Sequence, residues 1–186
     1  ELFDYQLTSK VNMEVLNMLN AKYIIFPNEG KPALQVNPEV NGNAWFVSKL
    51  KVVNSADEEI KALDVLKTKE ETVVRNTAAL TIDKVFEKDT IATIKLSTYD
   101  VTHLTYQTNT SKPQFAVFSE VYYKEGWNAY VDGKLTPHYR VNYVLRGMEV
   151  PVGKHTIEFK FEPTVIKNGN TITLTSYVLL LLIPLG

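Results

Sequence analysis

Hydrophobic and polar residues alternate along much of the second half of the chain. The clearest case is the segment 155–162, in which Ile157, Phe159 and Phe161 alternate with polar or charged residues. Strict alternation predicts a strand that buries one face and exposes the other. Similar short runs recur with turn residues between them, which is typical of an antiparallel β-sandwich. The predicted strands are 80–86, 90–97, 103–108, 114–123, 127–131, 139–150 and 155–162.

The strongest turn signal lies in the segment 119–134. Asp132 and Gly133 separate the strand-forming residues 127–131 from residues 134–136. A two-residue type I′ turn needs positive φ at both central positions, and Asp-Gly accommodates this. We therefore predict a β-hairpin and assign Asp132 to turn geometry rather than to acid catalysis. The segment 114–123 has four consecutive apolar residues, 115–118, which predicts a central strand covered on both faces.

The first 78 residues mix helical and extended patterns. Ser9 has the chemistry of a helix N-cap, and a stripe of apolar residues follows it at helical spacing. That predicted helix ends near Asn20 and carries Val11, Val15, Leu16, Met18 and Leu19. Short strand-forming runs follow at 22–26, 33–37, 43–48 and 49–53.

A second helix is predicted from Ser55 to about residue 66. Ser55 and Glu58 have the spacing of a capping box, and three acidic residues, Asp57, Glu58 and Glu59, lie near the positive end of the helix dipole. The apolar positions of this helix are Ile60, Leu63 and Leu66. With a further strand at 72–75, the pattern predicts a fold that is mainly β. It divides the chain into an α+β portion (1–78), a jelly-roll or immunoglobulin-like sandwich (79–167) and an apolar tail (168–186).

The tail has no charged side chain between residues 171 and 186. A membrane-spanning helix needs about 20 predominantly apolar residues, and this run is shorter. Its last residues are rich in leucine and have no polar face, so we predict the start of a truncated transmembrane helix. The alternative is a buried C-terminal strand or core helix.

Composition narrows the possible chemistry. Twenty basic and twenty-one acidic residues give a net charge of −1, so the chain lacks the electrostatic signature of nucleic-acid binding. It has no cysteine, which excludes disulfides and thiolate catalysis. The three histidines, His103, His138 and His155, lack metal-ligand spacing, so we expect surface or turn histidines and no metal site. No sequence motif predicts a cofactor or a hydrolase nucleophile.

Aromatic residues crowd the segment 122–143, with arginine and asparagine between them. On a β-sandwich such a set can bind sugars, because rings stack on apolar sugar faces while polar groups bond hydroxyls. The alternative, favoured by the frequency of Tyr and Trp in strands, is core packing with cross-strand aromatic pairs. The candidate ligand-binding residues are Trp127, Tyr130, Tyr139, Arg140, Tyr143 and Arg146.

An ordered set of short motifs resembles the C-terminal end of the YfhO family of bacterial multi-pass membrane proteins. The motifs are Phe118-Ser-Glu-x-Tyr-Tyr, Gly126-Trp127, Val131-Asp132-Gly133-Lys134, Arg140-x-Asn142-Tyr143-x-Leu145-Arg146 and Pro151-x-Gly153-Lys154-His155. Two earlier segments, 20–25 and 42–47, resemble the part of the family that precedes the sandwich. The resemblance therefore extends over nearly the whole chain.

The resemblance implies a domain of the bacterial cell membrane on its periplasmic or extracellular side, between the main transmembrane bundle and a last membrane helix. It also implies a parent protein similar to GT-C glycosyltransferases, which use polyprenyl-phosphate sugar donors. The catalytic acid of that type lies near the N-terminus of the membrane bundle, so we assign no catalytic residue and expect this segment itself not to be catalytic. The implied partners are the protein's own transmembrane domain and a cell-envelope glycan.

Two hypotheses follow. An accessory domain that assists glycan or acceptor binding predicts contact through Trp127 and Tyr143, with at least two rings coplanar on a groove. A structural spacer or protein-interaction domain without a ligand predicts that those rings are buried. The sequence leaves the donor sugar, the acceptor, the pathway and the oligomeric state open.

Overall fold

The structure is a computed structural model that describes residues 11–26, 32–77 and 79–182. Its helices are α1 (Met13–Met18), α2 (Ala56–Ala62) and α3 (Thr164–Leu182). The first seven strands are β1 (Tyr23–Phe26), β2 (Ala33–Val36), β3 (Ala44–Val47), β4 (Lys49–Val53), β5 (Glu71–Arg75), β6 (Lys84–Val85) and β7 (Thr93–Tyr99). The remaining strands are β8 (His103–Thr110), β9 (Gln114–Val121), β10 (Trp127–Val131), β11 (Lys134–Thr136), β12 (Tyr139–Val141), β13 (Leu145–Val150) and β14 (Gly153–Phe161).

Two large sheets pack face to face as a sandwich. A five-stranded sheet has the order β11-β10-β14-β8-β7, and a seven-stranded sheet has the order β3-β9-β13-β12-β5-β4-β6. Side chains from both sheets meet in one apolar cluster, with Ile157 and Phe159 from the first sheet and Ala116, Phe118 and Met148 from the second. The alternation along β14 thus predicts correctly which of its side chains enter the core.

The other face of the seven-stranded sheet is covered by α1, α2 and the turn after α2. Phe115 and Val117 of β9 belong to this second cluster, together with Val15, Leu63 and Leu66. Because alternate residues of β9 enter different clusters, β9 is a central strand covered on both faces, as its apolar run predicts. The strands β4 and β5 are parallel, and α2 supplies the crossover that parallel neighbours need.

The mainly β fold with a sandwich and a smaller N-terminal α+β portion is therefore confirmed. The seven-stranded sheet takes β3, β4 and β5 from the chain before residue 78 and β6, β9, β12 and β13 from the chain after it. The division of the chain into segments at residues 78 and 167 stays a prediction. A separate two-stranded sheet pairs β1 with β2.

The predicted hairpin is present. The strands β10 and β11 pair in antiparallel register, with Val131 opposite Lys134. Asp132 has φ of 50° and Gly133 has φ of 79°, which is the pair of positive angles that a type I′ turn requires. The Asp132 carboxylate also accepts a hydrogen bond from the backbone N–H of Thr156 at 2.9 Å, so this turn is tied to β14.

The predicted helix starts and ends need correction. Helix α1 begins at Met13 and is capped by Asn12, whose side chain accepts from the backbone N–H groups of Glu14 and Val15. The predicted cap, Ser9, lies outside the described residues. Helix α2 has the predicted Ser55 cap, but it ends at Ala62 rather than near residue 66.

Two of the predicted strands differ from the strands that the structure shows. The predicted strand 80–86 is reduced to the two-residue β6. The predicted strand 139–150 is interrupted, because Asn142 and Tyr143 have φ of 48° and 70° and turn the chain between β12 and β13. The segment 139–144 contains neither Gly nor Pro, the residues that most often mark a turn, so its sequence predicts a continuous strand.

The C-terminal segment forms the helix α3 outside both sheets. Its described apolar side chains are exposed, among them Ile172 at 66% and Leu180 at 60%. The alternative of a buried strand or core helix is therefore wrong. Residues 183–186 lie outside the described part. No helix within residues 11–26, 32–77 and 79–182 is long and apolar enough to cross a membrane.

Candidate functional site

The six candidate residues occupy different parts of the fold. Tyr139 and Arg140 line a cleft at the start of β12. Tyr143 is half-buried against the helix-side core, with its ring 6.0 Å from the Arg140 guanidinium carbon. Of the six candidates, only Tyr139 and Arg140 line this cleft.

The other three candidates lie elsewhere. Arg146 is only 2% exposed, and its guanidinium carbon lies 4.3 Å from the centre of the Trp127 ring inside the sandwich. Tyr130 points to the outer face of the five-stranded sheet, where its hydroxyl donates to Glu162 at 2.6 Å. Trp127 and Tyr143 are therefore not neighbours on one groove.

The cleft has a volume of about 440 Å³ and lies where β5 and β9 end and β12 begins. Three tyrosines line it with three basic residues, one histidine and one acidic residue, Glu125. We name it the tyrosine cleft, and its main residues are Arg75, Tyr122, Tyr123, Lys124, His138, Tyr139 and Arg140. Sequence reasoning grouped Tyr122 and Tyr123 with the aromatic set but did not select them as ligand residues.

Strand pairing brings these residues together. Val141 of β12 pairs with Val74 of β5, which places Arg75 beside Arg140 at the sheet end. The backbone N–H of Tyr122 donates to the carbonyl of Val144 at 2.7 Å, which fixes the segment after β9 against the β12–β13 turn. Three chain segments that are distant in sequence are thus held by backbone bonds around one opening.

A buried carboxylate supports this cleft from below. Glu59 of α2 is fully buried, and its Oε2 accepts from Arg75 Nη2 at 3.0 Å and from Nε at 3.3 Å. Its Oε1 accepts from the backbone N–H of Tyr143 at 3.0 Å. Glu59 lies in the first turn of α2, as predicted, but the sequence analysis missed that its carboxylate is buried against Arg75 and the Tyr143 backbone. Glu59 precedes Leu63 by four residues and Leu66 by seven, and this helical spacing is the sequence feature that indicates its place on the buried face.

The β12–β13 turn is fixed by a buried amide. Asn142 is fully buried, and its Oδ1 accepts from the hydroxyl of Thr72 at 2.9 Å and from the backbone N–H of Val73 at 2.9 Å. Asparagine tolerates positive φ better than most residues because its short side chain can bond locally. This turn sets where Arg140 and Tyr143 leave the sheet.

His138 forms part of the floor of the cleft. Its ring lies between the Tyr122 ring at 5.3 Å and the Phe159 ring at 5.6 Å. Burial, with a smaller contribution from the Arg146 charge, lowers the pKa of His138 to about 4. The imidazole is therefore neutral at pH 7, and this histidine is half-buried rather than on the surface.

The remaining two histidines lie against carboxylates of the five-stranded sheet and its β10–β11 turn. His103 Nε2 lies 2.8 Å from Glu158 Oε1, and His155 Nδ1 lies 2.6 Å from Asp132 Oδ2. No group of three or more metal-ligating side chains occurs in the part of the chain that the structure describes. The tyrosine cleft offers ring faces and guanidinium donors, which suit the binding of a hydroxylated ligand.

The molecule is thus a β-sandwich domain with two helices on one face and an aromatic, basic cleft at one sheet end. The sequence profile described as bacterial membrane protein YfhO matches residues 61–173, from α2 into α3. The chain belongs to the YfhO family, as its motifs indicate. The motifs at 20–25 and 42–47 lie outside the matched residues. Comparisons with curated proteins and with solved structures found no match.

Proposed function

We propose that this chain is an extracytoplasmic accessory domain of a membrane glycosyltransferase-like protein and that its tyrosine cleft binds a cell-envelope glycan or acceptor. One observation carries the proposal: Tyr122, Tyr123 and Tyr139 share a cleft with Arg140. Tyrosine combines a flat apolar ring with a hydroxyl, so it can stack on a sugar and also bond to it. Family membership places the domain in a bacterial membrane protein.

Arg140 is more available to a ligand than Arg75. Arg75 is held by the Glu59 carboxylate, whereas Arg140 has no carboxylate partner among the described residues. Its guanidinium lies over the Tyr143 ring, and this contact leaves its N–H groups able to donate to a hydroxyl or carbonyl oxygen. Tyr123 is 54% exposed, so its ring is accessible from solvent.

In this proposal the domain itself performs no chemistry. The parent protein transfers a sugar from a polyprenyl-phosphate donor, and the cleft holds the acceptor on the periplasmic or extracellular side of the membrane. The partners are then the protein's own transmembrane domain and the envelope glycan. A structural spacer without a ligand is the competing function, and the packing of the half-buried Trp127 on the buried Arg146 is what that function would need.

A glycan array followed by calorimetric titration of a bound oligosaccharide separates the two. Tyr123→Ala and Arg140→Gln should each weaken binding about fivefold or more, because one ring or charged contact contributes about 1 kcal/mol. Tyr99→Ala is the matched control, since Tyr99 is a 67% exposed tyrosine on β7 outside the cleft. Absence of any bound glycan, or equal binding by all three variants, would leave the spacer as the function.

A further inference from the structure

Several buried or half-buried polar groups of the described residues lack protein partners, and three of them, on Arg146, Tyr106 and His138, belong to side chains that pack around Phe159. Arg146 Nη1 and the Tyr106 hydroxyl are both buried and have no hydrogen-bond partner among the described residues. Arg146 is 2% exposed and Tyr106 is fully buried. Buried donors are nearly always bonded, because losing water without a replacement is costly. A buried guanidinium with an unbonded nitrogen therefore points to a bound group.

The nearest negative charge is Glu120 of β9. Its carboxylate makes no ion pair or hydrogen bond within the part of the chain that the structure describes, although it is only half-exposed. Burial raises the pKa of Glu120, and the charge of Arg146 acts in the opposite direction. Glu120 and Arg146 are thus close enough to attract each other but are not in contact.

A β-bulge explains this separation. Arg146 pairs with Phe118 and Leu145 pairs with Val121, so Ser119 and Glu120 have no partner on β13. A bulge re-aims the side chains of its extra residues. Arg146 Nε donates to the carbonyl of Val121 at 3.0 Å, which anchors the guanidinium beside the bulge and leaves Nη1 pointing elsewhere.

Tyr106 approaches the same place from the opposite sheet. Its ring packs edge-on against Phe118 at 4.8 Å and against Phe159 at 6.2 Å, while the Arg146 guanidinium carbon lies 5.1 Å from the Phe159 ring. The charges of Glu120 and Arg146 both act on the pKa of the Tyr106 phenol, which burial raises. Arg146 and Tyr106 therefore both lie at Phe159 between the sheets, and Glu120 is the carboxylate whose charge acts on both of them.

We propose that Arg146, Tyr106 and Glu120 form an internal binding site for an ordered water. The water accepts from Arg146 Nη1, bonds the Tyr106 hydroxyl and donates to the Glu120 carboxylate, which becomes the counter-ion of Arg146. Three polar partners are what a buried water typically has. The bridge joins β9 and β13 of one sheet to β8 of the other.

The sign of the stability change caused by Tyr106→Phe tests whether the site exists. If the hydroxyl bonds the water, Tyr106→Phe lowers the folding equilibrium constant about fivefold, which corresponds to about 1 kcal/mol for one buried hydrogen bond. If the hydroxyl is unbonded, removing it leaves that constant equal or higher. Tyr177→Phe removes an exposed hydroxyl on α3 and should change nothing. In a Glu120→Gln background the loss from Tyr106→Phe should differ from that in the wild type, because both groups bond the same water.

A high-resolution crystal structure of the chain gives the direct answer. We expect a water peak within hydrogen-bond distance of Arg146 Nη1 and of the Tyr106 hydroxyl. A direct contact between Glu120 and Nη1, or the absence of such a peak, would overturn the proposal. The result has no bearing on the tyrosine cleft, whose ligand binding is measured separately.

Discussion

The carboxylate of Glu59 joins helix α2 to two parts of the tyrosine cleft, so its replacement measures how strongly the cleft is fixed to the core. Both oxygens are in use: one holds the Arg75 guanidinium by two bonds, and the other accepts from the backbone N–H of Tyr143. The carboxylate is fully buried, so water does not reach its oxygens.

The expected magnitude follows from these contacts. Removing one partner of a buried ion pair costs about 3–5 kcal/mol, because the other charge is left uncompensated. The Arg75 side chain is 33% exposed and can turn partly to water, so we expect Glu59→Ala to lower the free energy of unfolding by about 3 kcal/mol, the low end of that range. Glu59→Gln keeps the shape and one acceptor oxygen, and should cost about 2 kcal/mol.

Urea denaturation measures both variants. With a slope of about 2 kcal/mol per molar urea, Glu59→Gln should lower the midpoint by about 1 M. Glu149→Gln is the matched control, since Glu149 forms an exposed ion pair with Lys84 and such pairs contribute about 1 kcal/mol at most. If Glu59→Gln matched this control, or if its effect were additive with that of Arg75→Gln, the ion pair would not be the support that we describe.

Three further predictions concern the sandwich. The Asp132 carboxylate stabilises the protonated form of His155, so the pKa of His155 is raised and that of Asp132 is lowered. The stability from this pair is complete between about pH 4 and 6.5 and is lost as pH rises through the raised pKa of His155. Thermal unfolding at pH 6 and pH 9 should show this loss in the wild type but not in His155→Gln. Gly147→Ala should cost about 1–3 kcal/mol by calorimetry, because a Cβ there would lie 2.6 Å from Phe115 Cε1; an unchanged melting temperature would contradict the packing. Phe159→Ala should cost about 3–5 kcal/mol in the same assay, since its fully buried ring touches both sheets, and a loss below 1 kcal/mol would be inconsistent with that position.

The parts of the fold that the sequence predicts are those determined by local pattern. The alternation in β14 identifies its buried face, and the Asp132-Gly133 pair identifies a hairpin, because both depend on neighbouring residues alone. The β12–β13 turn depends on a hydrogen bond between Asn142 and Val73 of β5, which lie 69 residues apart in the sequence. Such a contact leaves no mark in the local sequence.

The candidate site is harder to predict for the same reason. Tyr139 and Arg140, two of the predicted ligand-binding residues, line the cleft, but Arg75 reaches it only through the pairing of β12 with β5. Glu59 looks like one more acid in a capped first turn, and its burial follows from what α2 packs against. Arg146 lies among aromatic residues in the sequence, yet nothing in that pattern separates an exposed stacking partner from a guanidinium enclosed by Trp127.

The central claim is that the tyrosine cleft binds a glycan, and an NMR titration of the isotope-labelled chain with a cell-envelope oligosaccharide tests it most directly. The account predicts saturable shifts of the backbone amides of Tyr122, Tyr123, Tyr139 and Arg140, the residues that line the cleft. Resonances around Tyr130, on the outer face of the five-stranded sheet, should stay in place. Absence of shifts at millimolar oligosaccharide, or shifts confined to the Tyr130 face, would contradict the claim.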